Sequence, residues 1–118
     1  MTAKLRAIKF SAMAEHVAAG LLHLKGCRIL AHELRLPLGE IDIIARHGWT
    51  LAFIEVKARA TRDQAIEAVS SHQRGRIERA ALAYTTDHLK FAGFDLCFDL
   101  IAIASWQVPR HLPNAWQI

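Results

Sequence analysis

The sequence predicts an α/β fold in which a mixed central sheet is flanked by helices, in the order α-β-β-β-α-β. Three observations support this prediction: an N-terminal segment with apolar residues at helical spacing, three strand-like segments after it, and a last strand beyond a second helical region. Strands joined by a tight turn pair antiparallel, whereas a strand that returns after a helix usually pairs parallel. The sheet is therefore expected to be mixed.

The first element is a helix predicted from about residue 4 to residue 25, followed by Gly26, which is typical of the position after a helix C-terminus. Residues spaced four and three apart form its predicted core stripe, namely Ile8, Ala12, Glu15, Ala19 and Leu22. Glu15 is the exception in this stripe, because a lone carboxylate is costly to bury. Two interpretations remain open: Glu15 lies at the exposed edge of the stripe, or it reaches the carboxylates described below.

Three strands are predicted next, at residues 28–36, 40–46 and 50–58. Pro37 and Gly39 separate the first two strands, since both residues favour turns. The segment His47-Gly48-Trp49 separates the second and third strands and predicts a hairpin.

A second helical region is predicted from about residue 64 to residue 88, with Ser70 or Ser71 capping its second part. Gln73 lies at helical spacing with the apolar residues of this region, so it is expected to face the sheet. A final strand is predicted at residues 94–105, and residues 106–118 are expected to form a tail that packs on the body or on a neighbouring subunit. The 118 residues are predicted to form one domain.

Composition limits the possible classes of protein. The chain is 53% hydrophobic and 22% charged, and no apolar run approaches the roughly 20 residues of a membrane span, so neither a disordered chain nor a membrane protein is predicted. The net charge of +4 favours a polyanionic partner such as nucleic acid. Cys27 and Cys97 lie among apolar neighbours, which predicts buried free thiols in a reducing compartment and therefore a cytoplasmic protein.

The second and third strands carry the most informative residues. Side chains alternate along a strand, so Glu40, Asp42 and Ile44 are expected on one face of the second strand, with Ile41 and Ile43 on the other.

A turn centred between Gly48 and Trp49 places Asp42 directly opposite Glu55, with Cβ atoms roughly 5 Å apart. Lys57 is two residues beyond Glu55 and lies on the same face. The rest of this face is apolar, with Ile44, Leu51 and Phe53.

Two opposed carboxylates repel each other unless a divalent cation lies between them. Mg²⁺ accepts one or two carboxylates, keeps several waters and can take a phosphate oxygen. Lys57 could hold the attacking water or neutralise charge in the transition state. A metal or catalytic site and a salt-bridged structural patch both remain open on the residues alone.

At this point the chain resembles a known group. The segments Gly39-Glu40-Ile41-Asp42 and Ile54-Glu55-Val56-Lys57 resemble the PD-(D/E)XK nuclease signature. The likeness extends, from about residue 9 to residue 103, to the YraN-type bacterial family, which is largely uncharacterised and is grouped with endonucleases related to Holliday-junction resolvases. This wider likeness includes Glu15, Lys25-Gly26, Glu67-Ala68-Val69, Arg76-Ile77, Ala80-Ala81, Tyr84 and Phe98-Asp99.

The resemblance implies a restriction-endonuclease-like fold. It also implies a Mg²⁺ or Mn²⁺ site made by Asp42 and Glu55, with the carbonyl of Val56 and with Glu15 as further candidate ligands, and Lys57 beside it. Three positions depart from the family pattern: Gln73 stands where the family usually has Lys, Cys97 where an Arg commonly precedes Phe98, and Ala12 where a Gly is usual.

The function expected from these observations is metal-dependent hydrolysis of phosphodiester bonds in DNA, with branched structures among the candidate substrates. Glu15 and Gln73 would support the metal ligands Asp42 and Glu55. Several arginines follow Lys57 and would contact DNA phosphates or form a solvated face, namely Arg59, Arg62, Arg74, Arg76 and Arg79. The alternative function is a nucleic-acid-binding module that keeps the nuclease fold without catalysis.

Overall fold

The computed structural model describes residues 2–116, without the side chains of residues 6–9 and 11. The elements in chain order are helix α1 (Ala3–Leu24), strands β1 (Arg28–Leu36), β2 (Gly39–His47) and β3 (Thr50–Arg59), helices α2 (Arg62–Glu67) and α3 (Ser71–Asp87), a 3-10 turn (Leu89–Phe91), and strands β4 (Asp95–Ala104) and β5 (Arg110–Trp116). The predicted α/β class, a mixed sheet flanked by helices, is confirmed. Within the described range, no helix is long and apolar enough to cross a membrane.

The sheet has five strands in the order β1-β2-β3-β4-β5, and only the β3–β4 pair is parallel. The segment α2–α3 provides the crossover that a parallel pair requires. The predicted order lacked β5, whose residues had been assigned to the tail. This segment pairs with β4 because Leu112 lies opposite Leu100, and Trp116 stacks on Phe98 with ring centroids 5.6 Å apart. Residues 117 and 118, part of the predicted tail, lie outside the described range.

Helix α1 has the predicted extent but a different buried stripe. The residues that face the sheet are Ala14, Ala18 and Leu22. Ala12 was predicted to be buried and is exposed, Glu15 and Ala19 are half-buried, and the side chain of Ile8 lies outside the described set. Because alanines occur on several sides of this helix, its spacing pattern fits more than one buried face, and contact with the sheet selects between them.

Two hydrophobic layers enclose the sheet. On one face α3 covers Phe53, which packs edge-on against Tyr84 and stacks on Phe98. On the other face α1 covers a layer that includes Ile43 and Ile54. These layers hold β2 and β3 rigidly behind the residues of the candidate site.

The second helical region is divided into two helices, each with its own cap. The Thr61 hydroxyl accepts the Gln64 N–H at 3.1 Å and begins α2. The Ser70 hydroxyl accepts the Gln73 N–H, also at 3.1 Å, and begins α3. The second cap places Gln73 in the first turn of α3, at the end of the helix that lies over the sheet.

The predicted alternation in β2 is wrong at Ile41. This residue packs in the same core layer as Ile44, three positions away, and on the opposite side from Ile43. Strand β1 is also irregular, because Glu33 adopts a φ of 46°, which is unusual for a residue other than glycine. The alternation of inward-facing and outward-facing side chains in β2 is therefore irregular near Asp42, and Ile41 lies in the same core layer as Ile44.

Candidate active site

Strands β2 and β3 pair in the predicted register, from His47 opposite Thr50 to Ile43 opposite Ile54. The next pair in this register would be Asp42 and Glu55, but the ladder stops before it. Instead, the Val56 N–H donates to Asp42 Oδ2 at 2.8 Å. A side-chain carboxylate thus takes the place of a backbone acceptor, and the two strands separate at this end of the hairpin.

The carboxylate of Glu55 is the best-enclosed group of the site, with the residue only 6% exposed. Its Oε1 atom accepts a hydrogen bond from Gln73 Nε2 at 3.2 Å and lies 3.3 Å from Lys57 Nζ. The structure therefore brings together the predicted residues of β2, β3 and α3. The amide of Gln73 fixes the orientation of Glu55 without adding a charge.

Burial shifts the pKa of both carboxyl groups. Desolvation, and after it the charge of Asp42, raise the pKa of Glu55 to about 7, although Lys57 opposes the shift. Desolvation also raises the pKa of Asp42, against the hydrogen bond from Val56. Near neutral pH the metal-free pair therefore retains a proton, because two buried neighbouring carboxylates are costly to ionise together.

Glu15 is half-buried on α1, and Glu33 and Asp42 lie close enough to affect its ionisation. Its role as a metal ligand stays a prediction. Desolvation, a hydrogen bond with Glu33 and the charge of Asp42 raise the pKa of Glu15 to about 7. Glu33 was not predicted as a site residue, because no sequence signal within a strand segment indicates which residue has a positive φ. It brings an additional carboxyl group next to Glu15.

A cavity of about 200 Å³ opens beside the carboxylate pair. Its lining consists of Glu40, Asp42, Glu55, Gln73, Arg76 and Ile77. A water molecule takes up about 30 Å³ in the liquid. The cavity is therefore large enough for a cation with several waters.

The donor set fits Mg²⁺ or Mn²⁺. Asp42 and Glu55 offer hard carboxylate oxygens, and Mg²⁺ commonly uses only one or two carboxylates together with waters and substrate phosphate. No group of three His, Cys, Asp or Glu side chains suited to holding a metal occurs within residues 2–116. An ion held by two carboxylates alone would keep coordination positions open for water and phosphate. The carbonyl of Val56 remains a predicted ligand.

The predicted arginines fall into different environments. Arg76 lines the cavity. Arg59 is exposed at the end of β3, and Arg62 begins α2. Arg74 is half-buried, and its guanidinium lies over the Trp116 ring, 5.4 Å from the centroid.

A larger cavity of about 610 Å³ lies elsewhere in the fold, lined by residues that include Cys97 and Asp99. The buried carboxylate of Asp99 lies 2.8 Å from His111 Nε2 and accepts the Asn114 N–H at 3.0 Å, which ties β5 to β4. Burial, and after it Asp99, raise the pKa of Cys97 to about 12, so its thiol is neutral. Cys97 is free but only half-buried, as is Cys27. The departure from the family pattern at Cys97 thus does not touch the carboxylate pair.

The raised pKa of Glu55 predicts a pH-dependent stability. The unfolded carboxyl ionises near 4.5 and the folded one near 7, so the metal-free protein should lose up to about 3 kcal/mol of unfolding free energy as pH rises through this interval. Glu55→Gln removes this ionisation and should make the curve shallower, while the raised pKa values of Asp42 and Glu15 maintain part of the slope. Urea unfolding in EDTA at pH 5 and pH 8 measures the difference. Parallel pH profiles for the two proteins would contradict the prediction.

Comparison with known proteins shows that the sequence matches one protein family over most of its length. The model of the family described as "Uncharacterised protein family UPF0102" matches residues 14–103. A UPF0102 protein of Paramagnetospirillum magneticum is 47% identical over 110 residues, covering 90% of this chain and 85% of that protein. UPF0102 proteins of Sinorhizobium fredii and Methylorubrum extorquens are 45% and 48% identical; the alignments cover 96% and 89% of this chain and 93% and 82% of those proteins. The matched region includes the carboxylate pair, Lys57 and Gln73.

Proposed function

We propose that this chain, which belongs to the uncharacterised protein family UPF0102, is a divalent-metal-dependent endonuclease that hydrolyses phosphodiester bonds in DNA. The observation that carries the proposal is the pair of buried Glu55 and half-buried Asp42 at the open end of a hairpin, with Lys57 Nζ 3.3 Å from Glu55 Oε1. A structural salt bridge would need one acid for one lysine. The second carboxylate, that of Asp42, accepts a backbone N–H but forms no salt bridge within the described residues, which favours a cation.

Asp42 and Glu55 would hold Mg²⁺ or Mn²⁺, which when bound lowers the pKa of water and polarises a phosphoryl oxygen. The Val56 N–H keeps the Asp42 carboxylate in place through its 2.8 Å hydrogen bond. The amide of Gln73 does the same for Glu55. The chain thus orients both ligands before a substrate arrives, which lowers the cost of assembling the site.

Lys57 is the group that acts on the reacting atoms. Its side chain is 14% exposed, so the ammonium is largely desolvated next to Glu55, which lines the cavity. From this position it donates hydrogen bonds to the attacking water or to a phosphate oxygen that gains negative charge. Such stabilisation is strong in an enclosed site, because little water screens it.

Arg76, which belongs to the family likeness, brings a positive charge close to Gln73. It follows Gln73 by three residues on α3, which puts the two side chains on one face of the helix, and both line the cavity. A guanidinium binds phosphate oxygens in a bidentate manner. A phosphate oxygen entering the cavity would therefore meet one cationic side chain from α3.

A cleavage assay on a panel of duplex, forked, flapped and four-way DNA tests this function. The wild type should cleave at least one of these in Mg²⁺ or Mn²⁺ and none in EDTA. Lys57→Ala should reduce the rate roughly 100-fold, while Mn²⁺ binding measured by calorimetry persists, because both carboxylates remain. Lys90→Ala, at an exposed lysine in the 3-10 turn, is the matched control and should cleave normally. Full activity of Lys57→Ala would contradict the assigned role.

Gln73 also favours the second candidate function, a DNA-binding module without catalysis. A neutral amide at this position weakens the hold on phosphate and adds no positive charge to oppose the desolvation that raises the pKa of Glu55. Such a module would bind DNA in a salt-dependent manner without cleavage in any metal. Cleavage by the wild type would exclude it.

A further inference from the structure

The loop between β4 and β5 carries the most exposed large hydrophobic side chain of the described residues. Trp106 has a relative exposure of 103%, and Val108, two residues later, is 75% exposed. Trp106 also has a φ of 65°, in the left-handed region that a bulky residue rarely adopts. An indole held in solvent on a strained backbone contributes nothing to the core, so folding does not account for it.

This loop lies at the same end of the sheet as the candidate active site. In the parallel β3–β4 pair, Ala102 lies opposite Lys57, and Ala104, the last residue of β4, lies opposite Arg59. The loop therefore begins two residues, or roughly 7 Å, beyond Lys57 along the strands. A strand of DNA lying across the carboxylate pair would extend to this distance.

Two hydrogen bonds from α2 hold the loop in place. The Arg62 N–H donates to Gln107 Oε1 at 3.0 Å, and Arg62 Nη1 donates to the Val108 carbonyl at 3.2 Å. These bonds flank Trp106 on its C-terminal side. A strained residue persists when its surroundings over-determine its conformation, and such residues are common where a protein binds a ligand.

The surroundings of Trp106 are positively charged. Arg59 and Arg110 are exposed, and Ala102, the partner of Lys57, also pairs with Arg110 on its other side. None of Arg59, Arg62 and Arg110 forms an ion pair with an acid in the part of the chain that the structure describes. Asp63 is the one acid in the first turn of α2. Cations beside an exposed aromatic ring are the combination that binds single-stranded nucleic acid, through phosphates and base stacking.

We propose that Trp106 stacks on an unpaired base of the DNA strand bound at the active site, which makes the substrate DNA with unpaired nucleotides next to the scissile bond. This inference rests on the proposed function and adds its substrate class. A continuous duplex keeps its bases stacked on each other and offers no free base face to the indole. Trp106 also lies outside residues 14–103, the region matched by the family model.

Fluorescence tests the contact directly, since the chain has two other tryptophans with distinct environments. Trp116 is 8% exposed, and Trp49 is 72% exposed in the β2–β3 turn, at the opposite end of the sheet. Forked DNA and oligothymidine, added in EDTA and again in Ca²⁺, should quench the tryptophan fluorescence of the Trp49→Phe variant, which retains Trp106. They should quench the fluorescence of the Trp106→Phe variant far less.

Affinity measurements complete the test. Trp106→Ala should bind forked DNA about 10-fold more weakly and blunt duplex with unchanged affinity. Trp106→Phe should recover most of the loss, because a smaller aromatic ring still stacks. Trp49→Ala is the matched control and should bind like the wild type. Circular dichroism of each variant checks that the fold is retained.

The outcomes separate this inference from the proposed function. Equal affinity of Trp106→Ala and wild type for forked DNA would overturn the inference. Cleavage of DNA by both proteins would still support the proposed endonuclease function. Quenching and weakened binding without cleavage in any metal would support the stacking contact and overturn the enzyme. A wild type that binds no DNA would overturn both.

Discussion

Replacing Asp42 by asparagine is expected to reduce metal-dependent DNA cleavage by roughly 10²–10³-fold while leaving the protein folded. The substitution removes one of the two charges that would hold the cation. It conserves the shape of the side chain, and the remaining carbonyl oxygen can still accept the Val56 N–H that now lies 2.8 Å from Oδ2. The loss of activity would therefore report on charge and metal binding.

Calorimetry with Mn²⁺ gives the first decision, because it needs no DNA substrate. Saturable binding by wild type that is lost in Asp42→Asn indicates a functional metal site. Asp63→Asn, at the acid in the first turn of α2, is the matched control and should bind Mn²⁺ like the wild type. Cleavage by Asp42→Asn at the wild-type rate would eliminate this carboxylate as a ligand.

If the assigned roles are correct, Asp42→Asn in β2 and Lys57→Ala in β3 affect metal binding and DNA cleavage differently. Asp42→Asn should lose metal binding and cleavage together. Lys57→Ala should lose cleavage alone. The same pattern in both variants would mean that Lys57 acts only through the structure of the pair, by opposing the rise in the pKa of Glu55.

Gly39→Ala is expected to lower the free energy of unfolding by about 3 kcal/mol, the upper part of the usual range for overpacking. A Cβ atom at this buried position would lie 2.6 Å from the Arg76 carbonyl oxygen and 3.1 Å from its carbonyl carbon. Backbone atoms in the middle of a helix cannot move aside like the end of a flexible side chain. The start of β2 and α3 would have to separate.

Gly20→Ala is the matched control for this prediction. Gly20 is exposed within α1, and nothing lies within 4 Å of the added Cβ. Alanine should stabilise this helix by about 0.5–1 kcal/mol. Urea unfolding of both variants measures the contrast. Equal stability of Gly39→Ala and wild type would mean that the β1–β2 turn moves freely against α3.

Gly39→Ala should also affect the site, since Arg76 lines the cavity beside Asp42. Movement of α3 away from the sheet would lengthen the contact between Gln73 and Glu55, now 3.2 Å. We expect weaker Mn²⁺ binding together with the loss of stability. The glycine of the Gly39-Glu40-Ile41-Asp42 segment therefore has a steric role that its position in a turn did not reveal.

The elements closest to the candidate site were predictable because they depend on local patterns. The boundaries of α1 and β1 agree with the structure to within one residue, and those of β2 and β3 do so as well. The hairpin register followed from the centre of its turn, and it agrees with the structure from His47 opposite Thr50 to Ile43 opposite Ile54. The helical spacing of Gln73 likewise predicted that it faces the sheet, where it contacts Glu55.

Other features of the site required contacts between distant segments. The separation of the strands at Asp42 depends on the Val56 N–H finding a side-chain acceptor. The participation of Glu33 depends on its positive φ, and that of Glu15 on which side of α1 meets the sheet. Ile41 lies in the core layer that α3 covers, together with Ile44, whereas regular alternation would place these two residues on opposite faces of the strand.

By itself, the sequence determined the α/β class, the hairpin register and the acid-acid-lysine set, since each follows from periodicity or turn position within a few residues. Only the tertiary structure decided that residues 110–116 form a fifth strand, that Arg74 lies over Trp116, and that Trp106 stands in solvent beside the active-site end of the sheet. The physical reason is common to all three. Short polar segments with a proline have weak local preferences, so their conformation is set by the surfaces against which they pack.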